Sequence, residues 1–359
     1  MNATLKLLKI IGSPFAPEQK QELPENSDEA LELYSYATKN KIGLYYLDSL
    51  NSQGKLVEFG LKLNYQKECE KHNKQTTTAV RIAKLFNSYG VNYAIFKSIM
   101  PFPATPNDVD IIHFSSDVEY KKAAETMLQS NYIEIKGQAD ASQRMFHDAR
   151  ECEHLDPHKK DVYDIDVYQR ISASYVQYLD KRKLEKYVTE INISGNNIKV
   201  LRQEMELVTV IIHSIIPEQL CTLFVYYATL HHLSKMNPEE INRFIDIAKE
   251  NNVTFSVKAH CSLVAELHQV AHGFVPKIIE GLLTELGDET SERKKLLKND
   301  FKTPHKYSLL VVERILLEKA KEAGFRRSLI KQMAYMLISL RLSKWVISEV
   351  ILRRRRETY

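Results

Sequence analysis

Asp108 and Asp110, in the run Asn107-Asp108-Val109-Asp110-Ile111-Ile112, are the residues whose types and spacing most directly suggest chemistry. Side chains alternate along a β-strand, so carboxylates at positions i and i+2 share one face, about 6.5–7 Å apart along the chain. Val109 and Ile111 then point the other way, into a core, and both carboxylates face one cleft. Hard divalent cations such as Mg²⁺ prefer carboxylate and phosphate oxygens, so a pair of this kind beside a loop could grip a metal while the loop faces a nucleotide. A second metal able to activate a hydroxyl calls for a third carboxylate. The run Asp164-Ile165-Asp166-Val167-Tyr168 offers Asp164 and Asp166, and either could serve.

The elements that must position these residues follow from local patterning. Residues 91–97 form a short β-rich run, followed by a loop with Pro101, Pro103 and Pro106 and a second strand over 109–114. Ser116-Asp117 caps an expected helix over 118–128. Further strands are expected at 132–136, 144–148 and 162–169, then a charged helix near 178–187. A hairpin is expected over 189–200, with its turn at Gly195-Asn196. Before the sheet lie helical patterns at 5–11, from Ser27-Asp28-Glu29 onward, and from about Leu61 to a C-cap at Gly90. After it, amphipathic helices are expected near 203–216, 219–234, 238–250 and 255–271 and onward to Arg356. The chain therefore reads as an α+β protein: a mixed-sheet domain over 88–202, flanked by helical modules at 1–87 and 203–359. No fixed-period repeat is present.

Composition agrees and excludes little. Hydrophobic residues at 44%, charged residues at 27%, and only 11 Gly and 11 Pro describe a helix-rich globular chain of 359 residues. The formal charge of +4, from 50 basic against 46 acidic residues, allows a polyanionic substrate without requiring one. Cys69, Cys152, Cys221 and Cys261 are too scattered for a zinc knuckle or disulfide framework and read as reduced thiols. The apolar N-terminus is broken by Gly12-Ser13-Pro14, and the apolar run 207–230 by His213, Pro217, Glu218 and Gln219. Neither a secretory segment nor a membrane span is expected, and the protein is expected to be cytoplasmic.

The order Tyr93-Ala94-Ile95-Phe96-Lys97-Ser98, Pro-rich loop, Asp108-Val109-Asp110 resembles the nucleotidyltransferase superfamily related to polymerase β. It is most similar to the uncharacterised nucleotidyltransferase family with a Lys-Gly strand end before its Asp-x-Asp. The resemblance implies a nucleotidyltransferase-type sheet domain and transfer of a nucleoside monophosphate from an NTP, ATP included, to a hydroxyl on a small molecule, a protein or RNA. Asp108 and Asp110 would hold Mg²⁺ on the triphosphate. Asp166-Val167-Tyr168 is similar to the element that carries the third carboxylate, which favours Asp166 over Asp164 for a second ion; Mn²⁺ could substitute. Lys97 and Ser98 would meet the nucleotide, through an ammonium and a hydroxyl. Ser98 stands where the superfamily places a glycine that lets backbone amides approach phosphates, which keeps a second reading open: a non-catalytic descendant serving as a binding or adaptor module.

Three other groups suggest less. His147, His154 and His158, with Asp148, Glu151, Glu153 and Asp156, lack metal-fixed spacing and read as a solvated loop, with a lid over the cleft as the alternative. Arg353 to Arg356, with Arg326, Arg327, Arg341 and Lys344, could bind RNA but equally complement helix dipoles. His213, His231 and His232 read as core or inter-helix histidines, and the aromatics of Phe224-Val225-Tyr226-Tyr227 as packing.

Overall fold

The computed structural model describes residues 2–135, 142–150, 163–173, 176–339, 343–344 and 347–348. Among these, seven strands form one mixed sheet. They are β1 (Tyr93–Phe96), β2 (Asp108–His113), β3 (Tyr132–Ile135), β4 (Gln143–Asp148) and β5 (Asp164–Tyr168), with β8 (Val188–Ile193) and β9 (Asn196–Leu201) completing it. Strands β6 (Ile171–Ala173) and β7 (Val176–Leu179) pair separately. The order in the large sheet is β3-β4-β5-β2-β1-β9-β8. Strand β2 runs antiparallel to β1 and parallel to β5, in a register that sets Asp108 beside Asp164 and Asp110 beside Asp166.

Helices α1 (Ala3–Ile11), α2 (Ser27–Lys39), α3 (Gly43–Ser52) and α4 (Lys62–Ser88) precede the sheet, and α5 (Asp117–Gln129) follows β2. After β7 come α6 (Lys181–Leu184) and, beyond the hairpin, α7 (Gln203–Ile215), α8 (Leu223–Lys235), α9 (Pro238–Glu250) and α10 (Thr254–His272), then α11 to α14 (Lys277–Leu286, Thr290–Lys298, Leu309–Lys319, Ala323–Ile338). The α+β expectation holds. Among the described residues no helix is long and apolar enough to cross a membrane.

Strand alternation divides the sheet between two cores. Tyr93, Ile95, Val109, Ile111, Ile165 and Val167 pack on one face beneath Ala79, Ile82 and Phe86 of α4 and Tyr120, Ala124 and Met127 of α5. Ala94, Phe96, Ile112 and Tyr168 point to the other face, into a larger core built by α1–α3 together with α7, α8 and α10. Helices from both ends of the chain thus share one body, while α4 belongs by packing to the sheet. Asp108, Asp110 and Asp166 have the same parity as Ile112 and Tyr168, so they lie between sheet and helical body.

Local signals explain most boundaries. Ser116 and Glu119 form a reciprocal capping box that starts α5. Three expectations are corrected. The hairpin turn lies at Ser194-Gly195, both at positive φ (50° and 78°), the pairing that a tight two-residue turn requires. The charged helix near 178–187 begins only at Lys181, because residues 176–179 form β7 and Asp180 caps the helix by accepting from the Arg182 N–H. Helix α3 was not expected; no side chain caps its start, so it carries no terminal signal.

The candidate metal and nucleotide site

Carboxylate oxygens of Asp108, Asp110 and Asp166 lie within 4.8 Å of one another. Asp108 and Asp110 stand two residues apart on β2, and the parallel register of β5 brings Asp166 directly beside Asp110. Asp164 takes a different course, meeting His147 Nε2 at 2.5 Å. The geometry thus gathers Asp166, and not Asp164, with the Asp-x-Asp pair.

The three carboxylates repel one another in a poorly hydrated place. Asp108, half-buried at the mouth, is pushed up to about 7 by burial and then by Asp110. Asp166, held deeper, is raised well above the ordinary carboxylate range by burial, by Asp110 and by Asp108. Among the described residues Asp110 Oδ1 and Asp166 Oδ1 are buried without a hydrogen-bond partner. An all-oxygen donor set with unsatisfied buried oxygens fits a hard divalent cation, and these three residues are the ones that could hold it.

Lys97 supplies the nearest positive charge. Its Nζ lies 3.2 Å from Asp110 Oδ2 and 3.3 Å from His213 Nδ1. It also lies over the rings of Phe96 and Tyr168, at 4.7 and 5.6 Å from their centroids. Burial alone would lower its basicity, but Asp110, Tyr178 and Asp108 outweigh that and hold it above the usual lysine value. Lys97 has φ of 56°, left-handed for a residue with a Cβ, and its N–H donates to Glu206 Oε1 at 2.5 Å. Such a conformation persists only when its surroundings fix it.

Ser98 has a structural task within the strand pair. Its hydroxyl donates to the Phe96 carbonyl at 3.0 Å and accepts from the Asp110 N–H at 2.8 Å, while its carbonyl accepts from Gln75 Nε2 at 2.5 Å. The hydroxyl proton is therefore engaged inside the protein, and what Ser98 visibly does is fix the backbone of Asp110.

Glu206 carries no signal of its own in the sequence, and His213 reads there only as a core or inter-helix histidine. Glu206 on α7 is buried, with Oε2 lacking a partner among the described residues, and burial raises it to about 8. His213, also on α7, accepts at Nδ1 from Tyr178 Oη at 2.9 Å, and burial followed by the Lys97 charge lowers it to about 3. Its Nε2 faces Glu218 Oε1 at 3.7 Å, and Glu218 in turn pairs with Lys41 at 3.2 Å. His213 is thus a half-buried link between sheet and helical body at the site. Glu206→Ala is expected to destabilise the fold by about 1–3 kcal/mol, because it strands the buried Lys97 N–H at a strained φ. Glu206→Gln, which keeps an acceptor, should recover most of that loss in a denaturant melt; equal losses in both variants would refute this role.

The remaining sequence readings separate here. His147 and Asp148 are buried on β4, not solvated, and Asp148 binds Arg81 and Arg150 at 3.2 and 2.7 Å. Glu151, Glu153, His154, Asp156 and His158 lie outside the described residues. Arg326 donates to the Ala320 and Lys321 carbonyls at the end of α13, while Arg341 and Arg353 to Arg356 lie outside the described residues. His231 stacks on Phe102 and bonds Tyr45, and His232 is buried on α8. Tyr226 and Tyr227 are fully buried, as core packing requires. Cys69, Cys221 and Cys261 are free thiols, and Cys152 lies outside the described residues.

No family model and no curated protein matches the chain. Among solved structures, an antigenic nucleotidyltransferase-like protein from Paracoccidioides brasiliensis is similar over 67% of this chain and 96% of its own, at 12% identity and a TM-score of 0.30.

Proposed function

We propose that the chain is a divalent-cation-dependent nucleotidyltransferase that moves a nucleoside monophosphate from an NTP to a hydroxyl of a small molecule, a protein or RNA. The observation that carries this reading is the convergence of Asp108, Asp110 and Asp166, with buried, partnerless oxygens on Asp110 and Asp166. These residues would hold Mg²⁺ or Mn²⁺. When bound, the ion neutralises phosphate charge and acidifies an acceptor hydroxyl. In the transfer the acceptor hydroxyl gives its proton to solvent and its oxygen bonds to the α-phosphorus, as the bond from that phosphorus to the α,β-bridging oxygen breaks and pyrophosphate leaves with that electron pair.

The protein's own contributions would be mostly positional. Ser98 fixes the Asp110 backbone, and Lys97 holds one Asp110 oxygen and would place a positive charge beside the triphosphate. The reading as a non-catalytic binding module draws on one observation: the hydroxyl proton of Ser98, which stands where the resemblance would place a glycine, is already engaged. Incubation with each labelled NTP, Mg²⁺ or Mn²⁺ and cell extract separates the two. Transfer by the wild-type chain, lost in Asp108→Ala and Asp110→Ala, is expected. Metal-dependent NTP binding without transfer would select the binding module, and neither binding nor transfer would sink the enzyme reading.

A further inference from the structure

We propose that Lys97 is a resident cation of the carboxylate cluster, holding the side of Asp110 that a second metal ion would need, so that the site binds one divalent ion and not a pair. The inference rests on the metal-dependent reading above and concerns how that site is filled.

Asp110 presents its two oxygens differently. Oδ2 meets the Lys97 ammonium at 3.2 Å, whereas Oδ1 is buried and without a partner among the described residues. One oxygen is taken by a fixed charge and one is left for an ion shared with Asp108 and Asp166. Paired metals in phosphoryl-transfer sites sit about 3.5–4 Å apart and share carboxylates, so a second ion would compete for Oδ2 and stand against a buried like charge.

Lys97 is not a surface lysine able to swing away. Its ammonium lies over Phe96 and Tyr168 and against His213 Nδ1, and its own N–H is tied to Glu206 from another element. An ammonium only donates, so the Nδ1 it meets must carry a lone pair, which makes His213 the neutral tautomer with its proton on Nε2. That proton faces Glu218 Oε1 at 3.7 Å, consistent with the same tautomer. Before nucleotide binds the charges close as well: three ionised carboxylates balance one divalent ion plus one ammonium, so the Lys97 charge already occupies the place in the cluster that a second ion would take.

Mn²⁺ electron paramagnetic resonance with equilibrium dialysis tests this on the full chain in the presence of α,β-methylene-ATP. Wild type is expected to bind one Mn²⁺ at the site with no Mn–Mn dipolar coupling. Lys97→Met, which keeps the apolar stem and removes the charge, is expected to bind a second, coupled ion and to bind Mn²⁺ on the order of tenfold tighter or more. A coupled pair in wild type would overturn the proposal by itself and leave the metal reading standing, whatever the variant does. A single uncoupled ion in folded Lys97→Met would also overturn it. Lys97→Gln serves as the second variant if circular dichroism shows that Lys97→Met does not fold. No bound Mn²⁺ in any of the three proteins would remove the metal reading and this proposal together.

Discussion

Asp166→Asn is expected to reduce nucleotidyl transfer by about 10³-fold or more while raising the melting temperature of the metal-free protein. The loss follows from removing a charged oxygen from a cluster that stabilises developing phosphate charge, an effect of several kcal/mol at about 1.4 kcal/mol per tenfold. The gain follows from the same crowding. Asp166 is buried, carries a partnerless Oδ1, and sits against Asp110 and Asp108, so the folded state bears its desolvation and repulsion. Asparagine keeps the shape and removes the charge, and the expected stabilisation is about 1–2 kcal/mol. Paired thermal melts and a transfer assay measure both effects. A variant that is less stable without metal would show that the cluster is not electrostatically strained, and one that retains full transfer would remove Asp166 from the site.

The second large effect is a stability that depends jointly on pH and Mg²⁺. Asp108 is raised from 3.8 to about 7, and Glu206 from 4.5 to about 8, both chiefly by burial. A group whose folded pKa is raised adds stability that is complete below its unfolded pKa and is lost as pH rises through the folded value. These two groups therefore cost stability progressively up to about pH 8. Three desolvated histidines act in the opposite sense: half-buried His213 and buried His232 and His260 are lowered from 6.5 to about 3, so their contribution is present above 6.5 and lost as pH falls. Metal-free protein should thus be most stable near pH 6.5 and lose on the order of 1–3 kcal/mol by pH 8.5, the smaller end reflecting the water that screens half-buried Asp108. Mg²⁺ should restore the Asp108 share of that loss at pH 8.5 and do far less at pH 5.5, where Asp108 is protonated. Melts at four pH values with and without Mg²⁺ check this. Stability that climbs steadily from pH 6.5 to 8.5 without metal would contradict it.

The unequal legibility of the site has a physical cause. Strand alternation is a local rule, so Asp108 and Asp110 on one face, with Val109 and Ile111 on the other, could be read from six residues. The helix cap at Ser116-Asp117 and the hairpin near Gly195 were legible for the same reason. Helix α3, which has no side-chain cap, was not. The choice between Asp164 and Asp166 depended on what lies across the strand: His147 on β4 meets Asp164, while Asp110 on β2 stands beside Asp166.

By itself, then, the sequence determined the α+β class, the elements around the site and the carboxylates on offer, because each follows from periodicity and capping within a few residues. Tertiary structure decided how those carboxylates are used. Only folding brings Glu206 and His213, more than a hundred positions away, against Lys97. Only folding turns Lys97 onto Asp110 and engages the Ser98 hydroxyl between two strands. Burial and through-space charge set these partnerships, and neither has a period along the chain.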